Sequence, residues 1–178
     1  MARAVEQHGE RAHAHGIWQR AFEVDPYDPE IRAGYSRTSL NDPNVLQLTL
    51  ACLATLHLRG LRWRQAAEHY RTLLRADPRR IDFQLNLLIA LWQQPQNGDA
   101  YELARYLTSS HPHLLMAWIA LAALGDENDK ALARNPIDEL DPDGEFARRW
   151  LGPQHPDQPA TLMVSAEELR LLEAVTTP

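Results

Sequence analysis

The chain has 178 residues, of which 44% are hydrophobic and 24% are charged, a composition typical of one soluble domain with a buried core. Its formal net charge of -6 argues against a general nucleic-acid binder, because that function requires a basic surface. The single cysteine, Cys52, excludes an internal disulfide framework. Because no apolar run is long enough to span a membrane and residues 1–15 lack the apolar core of a secretory signal, we expect a soluble, cytoplasmic protein.

The predicted elements of the first half of the chain are helices. Residues 2–12 are predicted as a short helix, a longer helix ends at Pro26, and a short helix at 30–37 precedes a connector. Segment 45–58 is apolar on nearly every side, which is typical of a helix buried between neighbours. An amphipathic helix at 63–74 follows and ends at Asp77-Pro78, because proline disfavours helical geometry in the residue before it.

The second half continues in the same way, with predicted helices at 81–92, 99–107 and 115–124. A short helix at 128–134 is expected to end at Asn135-Pro136, and a last short helix is expected at 145–151. Residues 152–164 are predicted to be a proline-rich linker. Ser165 and Glu168 form a capping box that predicts an amphipathic helix at 165–176. That helix is expected to cap the last helices, with docking on another chain or in the domain's own groove as the alternative.

A period of 34 residues connects the predicted helix pairs. It relates Pro78 to Pro112, Ala66 to Ala100 and Leu73 to Leu107, and it also relates Leu50, Gln84 and Trp118, then Leu53, Leu87 and Leu121, and then Ala54, Leu88 and Ala122. Nearer the N-terminus, Ala14, Trp18, Ala21 and Pro26 repeat the spacing of Ala66, Tyr70, Leu73 and Pro78. No segment alternates with period two, so the predicted class is all-α.

This pattern resembles the tetratricopeptide repeat family over roughly residues 10–150, and most strongly over 47–124. Trp118, Leu121 and Ala122 match the opening of the family pattern, while Ala66, Tyr70, Leu73 and Pro78 match its second half. The resemblance implies that residues 1–151 form a right-handed superhelical stack of antiparallel helix pairs. Stacks of this kind often self-associate through their end faces, so a homo-oligomer is one of the assemblies that the resemblance allows.

The resemblance also implies a concave groove lined by the first helix of each pair. The groove positions in this sequence are Leu48, Ala51, Thr55, Asp82, Leu85, Ile89, Trp92, Met116 and Ile119. Because these positions are mostly apolar, we expect the groove to bind an apolar or amphipathic segment of a partner protein, unless the protein's own helices close it. Some members of the family clamp a terminal carboxylate with Lys and Asn at positions of this groove. This sequence has Ala51, Thr55 and Asp82 at those positions, so we expect no such clamp.

No sequence motif supports catalysis, a cofactor or a metal. There is no glycine-rich phosphate loop and no nucleophile elbow, and residues 139–144 depart from the EF-hand pattern. The histidine pairs at 13/15 and 111/113 are two residues apart, a spacing that does not place them on one helix face. The prediction is a non-enzymatic adaptor that binds a protein or peptide but neither nucleic acid nor membrane. The alternative is a regulatory or docking part of a larger enzyme or transcription regulator.

Overall fold

The computed structural model describes residues 1–39 and 48–152, which form ten α-helices and, within that part of the chain, no strand. The predicted helix at 165–176 and the linker beyond Gly152 lie outside the described residues. The helices are α1 (Ala2–Gln7), α2 (Arg11–Val24), α3 (Pro29–Thr38), α4 (Leu50–Arg59), α5 (Trp63–Ala76), α6 (Ile81–Trp92), α7 (Gly98–Ser110), α8 (Leu115–Leu124), α9 (Glu127–Leu140) and α10 (Glu145–Leu151).

Four helices, α2, α5, α7 and α9, end with the same backbone geometry. Their C-caps are Asp25, Asp77, His111 and Asp141, with φ of -132°, -138°, -139° and -136°, and the N–H of each cap donates to the carbonyl four residues earlier. A proline follows each cap, and the next helix begins three residues after that proline. The half-motif that ends at Pro26 therefore has the same helix terminus as the strongest repeats.

A side-chain hydrogen bond closes two of these turns at positions that are 34 residues apart. Gln84 Nε2 donates to the carbonyl of Pro78 at 2.7 Å, and Trp118 Nε1 donates to the carbonyl of Pro112 at 2.7 Å. Both donors are buried in the first turn of the following helix. The repeat in the sequence thus corresponds to a repeated contact that orients each new helix against the end of the previous one.

The helices pack mainly against their neighbours in the sequence, in the order α1 to α2 to α3 and then α4 through α9. Contacts between alternate helices connect α4 to α6, α6 to α8 and α8 to α10. Helices α4, α6 and α8 each begin a sequence-adjacent pair, and we call them the first helices. We include α10 among them, because it begins three residues after a proline, as α6 and α8 do. These four helices therefore lie side by side in chain order.

Helix α4 packs into both hydrophobic clusters of the protein. The larger cluster runs from α4 to α10 and includes Ala51, Ala54, Tyr70, Leu88 and Leu121, all of which are buried. The N-terminal cluster consists of the buried residues Ala2, Ala14, Trp18, Phe22 and Tyr35 together with Cys52 of α4. Because opposite sides of α4 serve different clusters, this helix joins α1–α3 to the rest of the protein.

Several predicted helix boundaries were wrong. The helix expected over 2–12 ends at Gln7, with α2 beginning at Arg11, and α7 continues to Ser110 beyond the expected end at 107. Helix α9 continues through Pro136, where a break was expected, and includes the buried residues Ala133 and Ile137. A capping box at Asp126 and the burial of these side chains offset the cost of the proline, about 3 kcal/mol in a helix interior. Helix α4 begins at Leu50 rather than within 45–49, because the Thr49 side chain caps it by accepting from the N–H of Cys52 at 3.1 Å. Residues 45–47 lie outside the described part.

Helix length and hydropathy also bear on whether the protein could span a membrane. Within residues 1–39 and 48–152, none of the helices combines the length and the apolar character needed to cross a bilayer.

Candidate protein-interaction site

The nine groove positions named from the sequence differ in their exposure. Leu48 is 47% exposed and Asp82 is also exposed, whereas Thr55, Leu85, Ile89, Trp92 and Met116 are half-buried. Ala51 and Ile119 are only 4% and 1% exposed and belong to the larger hydrophobic cluster, so they support the site from beneath. Apart from Leu48, which precedes α4, the accessible apolar part of the prediction thus consists of Leu85, Ile89 and Trp92 of α6 with Met116 of α8.

A stacked pair of tryptophans extends this surface to α10. Trp92 at the end of α6 and Trp150 near the end of α10 have ring centroids 5.2 Å apart and planes inclined by 27°. Both rings are half-buried and pack against the larger cluster. We use the name apolar stripe for six of the accessible apolar side chains on α6, α8 and α10, namely Leu85, Ile89, Trp92, Met116, Phe146 and Trp150.

Phe146 and Trp150 were not among the predicted site residues. Phe146 is 58% exposed and lies one turn before Trp150, so the two rings share a face of α10. It follows Pro142 by four residues, the same offset that relates Asp82 to Pro78 and Met116 to Pro112. Applying that offset to Pro142 would have found Phe146 in the sequence, whereas the fixed 34-residue period does not reach it.

A chain of hydrogen bonds lies under the stripe between α4, α5 and α6. Asn86 Nδ2 donates to the hydroxyl oxygen of Tyr70 at 3.1 Å, the Tyr70 and Thr55 hydroxyls are 3.3 Å apart, and Thr55 Oγ1 donates to the carbonyl of Ala51 at 3.1 Å. Tyr70 is fully buried, and this burial raises the pKa of its hydroxyl, an effect that the two side-chain hydrogen bonds oppose. The predicted groove residue Thr55 is therefore engaged in holding three helices together.

Charged groups gather at the N-terminal end of α6. Arg80 forms a bidentate pair with Asp82 at 2.9 and 2.7 Å and approaches the largely buried carboxylate of Glu23 to 3.8 Å. Its guanidinium also lies 3.8 Å from the ring centroid of Phe83. The hydrogen bonds from Arg80 lower the pKa of Asp82, and the same contact raises the pKa of Arg80. This end of the stripe is thus charged at neutral pH, with the opposite charges paired.

Beyond this end, α6 and α8 are almost free of charge, whereas α10 carries Glu145, Arg148 and Arg149. Helix α8 carries no charged residue, and the only charged residue of α6 is Asp82. A ligand that placed a charged group against the middle of the stripe would therefore lose solvation without gaining a partner charge. The chemistry of the surface suits an apolar face with polar groups at its edges.

The described residues contain no group of three or more His, Cys, Asp or Glu side chains that could hold a metal ion. His13 pairs with Glu10 at 3.1 Å and His15 faces the Thr38 hydroxyl at 3.2 Å, so these two histidines point to different partners. Cys52 is fully buried, and this burial and the nearby charge of Glu23 raise the pKa of its thiol. A raised pKa disfavours the thiolate, the reactive form of cysteine.

Comparisons with known proteins place the chain in no family. No family model matches the sequence, and neither the curated proteins nor the solved structures that were compared include a significant match. The tetratricopeptide resemblance therefore remains a prediction from the repeat pattern.

Substitution Tyr70→Phe tests the hydrogen-bonded support under the stripe. The variant keeps the buried ring but leaves the Asn86 amide and the Thr55 hydroxyl without their shared partner, so we expect the free energy of unfolding to fall by about 1–2 kcal/mol. Chemical denaturation followed by circular dichroism measures the change. Tyr106→Phe on the exposed side of α7 is the control and should change stability by less than about 0.5 kcal/mol. Equal effects of the two substitutions would contradict a supporting role for the Tyr70 hydroxyl.

Proposed function

We propose that the protein is a non-enzymatic interaction module that binds an apolar or amphipathic helical segment of another protein along the apolar stripe. One observation carries the proposal: three adjacent first helices, α6, α8 and α10, present large apolar side chains that remain accessible while neighbouring positions are fully buried. Accessible apolar surface that is contiguous over several elements is typical of interaction sites. A right-handed superhelical stack, as in tetratricopeptide repeats, would make this surface concave.

Binding would gain most of its free energy from a few anchors. Phe146 and the Trp92–Trp150 pair offer aromatic surface, and aromatic residues are frequent among the side chains that dominate binding energy. Leu85 and Ile89 lie one turn apart on α6 and would contact apolar residues spaced by three or four along a bound helix. The paired charges of Arg80 and Asp82 would set the direction of the ligand rather than its affinity.

A peptide selection tests the proposal and requires no candidate partner. A displayed library of random 16-residue peptides (a length of about four helical turns) is selected on the wild-type protein, and enriched peptides are measured by fluorescence anisotropy. We expect enriched sequences to carry apolar residues at i, i+3 or i+4, and i+7. Phe146→Asp should weaken their binding by about 30-fold, equivalent to about 2 kcal/mol.

The chain offers a closely matched control. Leu132 on α9 is 61% exposed, compared with 58% for Phe146, so Leu132→Asp introduces the same charge at an equally accessible apolar position outside the stripe. This control should bind the selected peptides as the wild type does. Failure to enrich such peptides, or equal losses in the two variants, would refute the stripe as the binding site.

A further inference from the structure

The contact between α4 and α5 includes two stacked histidines. His57 in the last turn of α4 and His69 in α5 have ring centroids 5.0 Å apart and planes inclined by 16°, and both side chains are half-buried. Nδ1 of His57 is buried and has no hydrogen-bond partner within the described part of the chain. We propose that these two histidines form a proton-sensitive contact that opens the α4–α5 helix pair at mildly acidic pH. This opening does not depend on the proposed function.

Protonation of His57 is unfavourable while the two helices are packed together. The neutral ring can carry its proton on Nε2 and keep a lone pair at the buried Nδ1, whereas the imidazolium has an N–H at both nitrogens. The added N–H at Nδ1 is buried without an acceptor, which is costly. Burial lowers the pKa of His57, and the nearby charges of His69 and Arg62 lower it further.

The helices around His57 supply no compensating negative charge. From α5 and its N-cap, the groups that act on this ring are His69 and Arg62, both of which carry positive charge when protonated. Helices α2 and α6 also pack against α4. The carboxylates within these two helices and at their ends pair with or approach arginines instead, namely those of Glu23, Asp25 and Asp82. Among the described residues, the imidazolium of His57 therefore lacks a partner anion.

The turn that joins α4 to α5 is itself poised to open. The carbonyl of His57 accepts from the N–H of Arg62 at 2.8 Å, and the carbonyl of Leu58 accepts from the N–H of Leu61 at 3.1 Å. These carbonyls are already satisfied, so this helix end stabilises a positive charge less than a free C-terminus does. Leu61 has a φ of 57°, a left-handed conformation that is unfavourable for a residue with a Cβ atom. Packing between the two helices thus holds a strained turn closed.

The size of the effect follows from the open state. There His57 has its ordinary pKa of about 6.5, so the ring is protonated in about 90% of open molecules at a pH of about 5.5 and in about 10% at a pH of about 7.5. Because the closed state disfavours the proton, the stability of the helix pair is complete above about pH 6.5 and is lost as the pH falls below it. The open population should increase by up to about 10-fold over this range.

Hydrogen exchange of the full-length protein, measured by mass spectrometry at a pH of about 7.5 and about 5.5, tests the proposal. After correction for the intrinsic pH dependence of exchange, protection of α4 and α5 should fall by up to about 10-fold at the lower pH, and that of α8 by less than about 2-fold. His57→Phe keeps an aromatic ring against His69 but cannot bind a proton, so it should remove this difference. His13→Phe is the matched control, because His13 is exposed on α2, and it should retain the wild-type difference.

Two further variants separate protonation from folding and from strain in the turn. His57→Gln also lacks a titrating group and replaces His57→Phe if circular dichroism shows that the latter does not fold. Leu61→Gly relieves the unfavourable φ, so it should raise protection of α4 and α5 at both pH values by the same factor. Equal loss of protection in all helices, or an undiminished pH difference in a folded variant without His57, would overturn the proposal. A pH difference abolished by Leu61→Gly alone would overturn its assignment to the histidines.

Discussion

Substitution Trp118→Ala is expected to lower the free energy of unfolding by about 3–5 kcal/mol, the cost typical of removing a buried tryptophan. Trp118 lies in the first turns of α8, is buried in the larger cluster, and donates through Nε1 to the carbonyl of Pro112 at 2.7 Å. The variant therefore loses both packing and the contact that closes the turn between α7 and α8. Chemical denaturation monitored by circular dichroism should show this loss as a lower transition midpoint.

A second substitution at the same position separates the two contributions. Trp118→Phe retains most of the apolar contact but removes the N–H donor, so a loss of about 1–2 kcal/mol is expected. Trp63→Phe is the matched control, because Trp63 is half-buried and its indole makes no hydrogen bond within the described part of the chain. It should cost less than about 1 kcal/mol. Similar losses for both tryptophans would show that the turn-closing hydrogen bond contributes little.

Substitution Gly34→Ala is expected to destabilise the protein by about 2–3 kcal/mol, although alanine ordinarily favours a helix interior by about 1 kcal/mol over glycine. Gly34 is buried in α3, and a Cβ atom placed there would collide with the indole of Trp18 in α2. That indole cannot move away freely, because it is buried in the N-terminal cluster and its Nε1 donates to Glu6 at 3.2 Å. The close approach of α2 and α3 thus depends on the missing side chain.

Gly16→Ala is the control for this prediction and should change stability in the opposite direction. Gly16 is an exposed residue of α2, and nothing lies within 4 Å of a Cβ atom built there. Alanine should therefore raise the free energy of unfolding by about 0.5–1 kcal/mol through helix propensity alone. The opposite signs distinguish steric contact from propensity, and a stabilising Gly34→Ala would show that Trp18 does not pack as closely as described.

The sequence predicted the helices best where apolar periodicity and turn residues agree. The bounds of α6, α8 and α10 were predicted to the residue, and a proline turn precedes each of them at a constant offset; α3 follows the same kind of turn but extends one residue beyond each predicted end. The start of α4 depends on a single side-chain cap at Thr49, and the continuation of α9 through Pro136 depends on buried contacts with other helices. Contacts of this second kind arise only from the tertiary structure, which periodicity does not contain.

Only part of the candidate site was predicted, because the exposure of its side chains depends on tertiary packing as well as on the repeat pattern. Leu85, Ile89 and Trp92 were identified because the repeat assigns them to the accessible side of a first helix, and they are half-buried in the structure. Ile119 occupies the same repeat position as Leu85, yet it is buried because α8 lies between α6 and α10. Phe146 escaped detection because the interval between successive turn prolines shortens from 34 residues to 30 between Pro112 and Pro142.

The sharing of α4 between two hydrophobic clusters gives the single sulfhydryl of the chain a distinctive location. Cys52 belongs to α4, but its surroundings come from the helices that precede it, including Trp18, Phe22 and Tyr35. Any event that detaches α1–α3 from α4 uncovers this sulfur, while loosening of the later helices leaves it covered. The reactivity of one atom therefore reports whether helices α1–α3 are attached to α4, independently of the state of the apolar stripe.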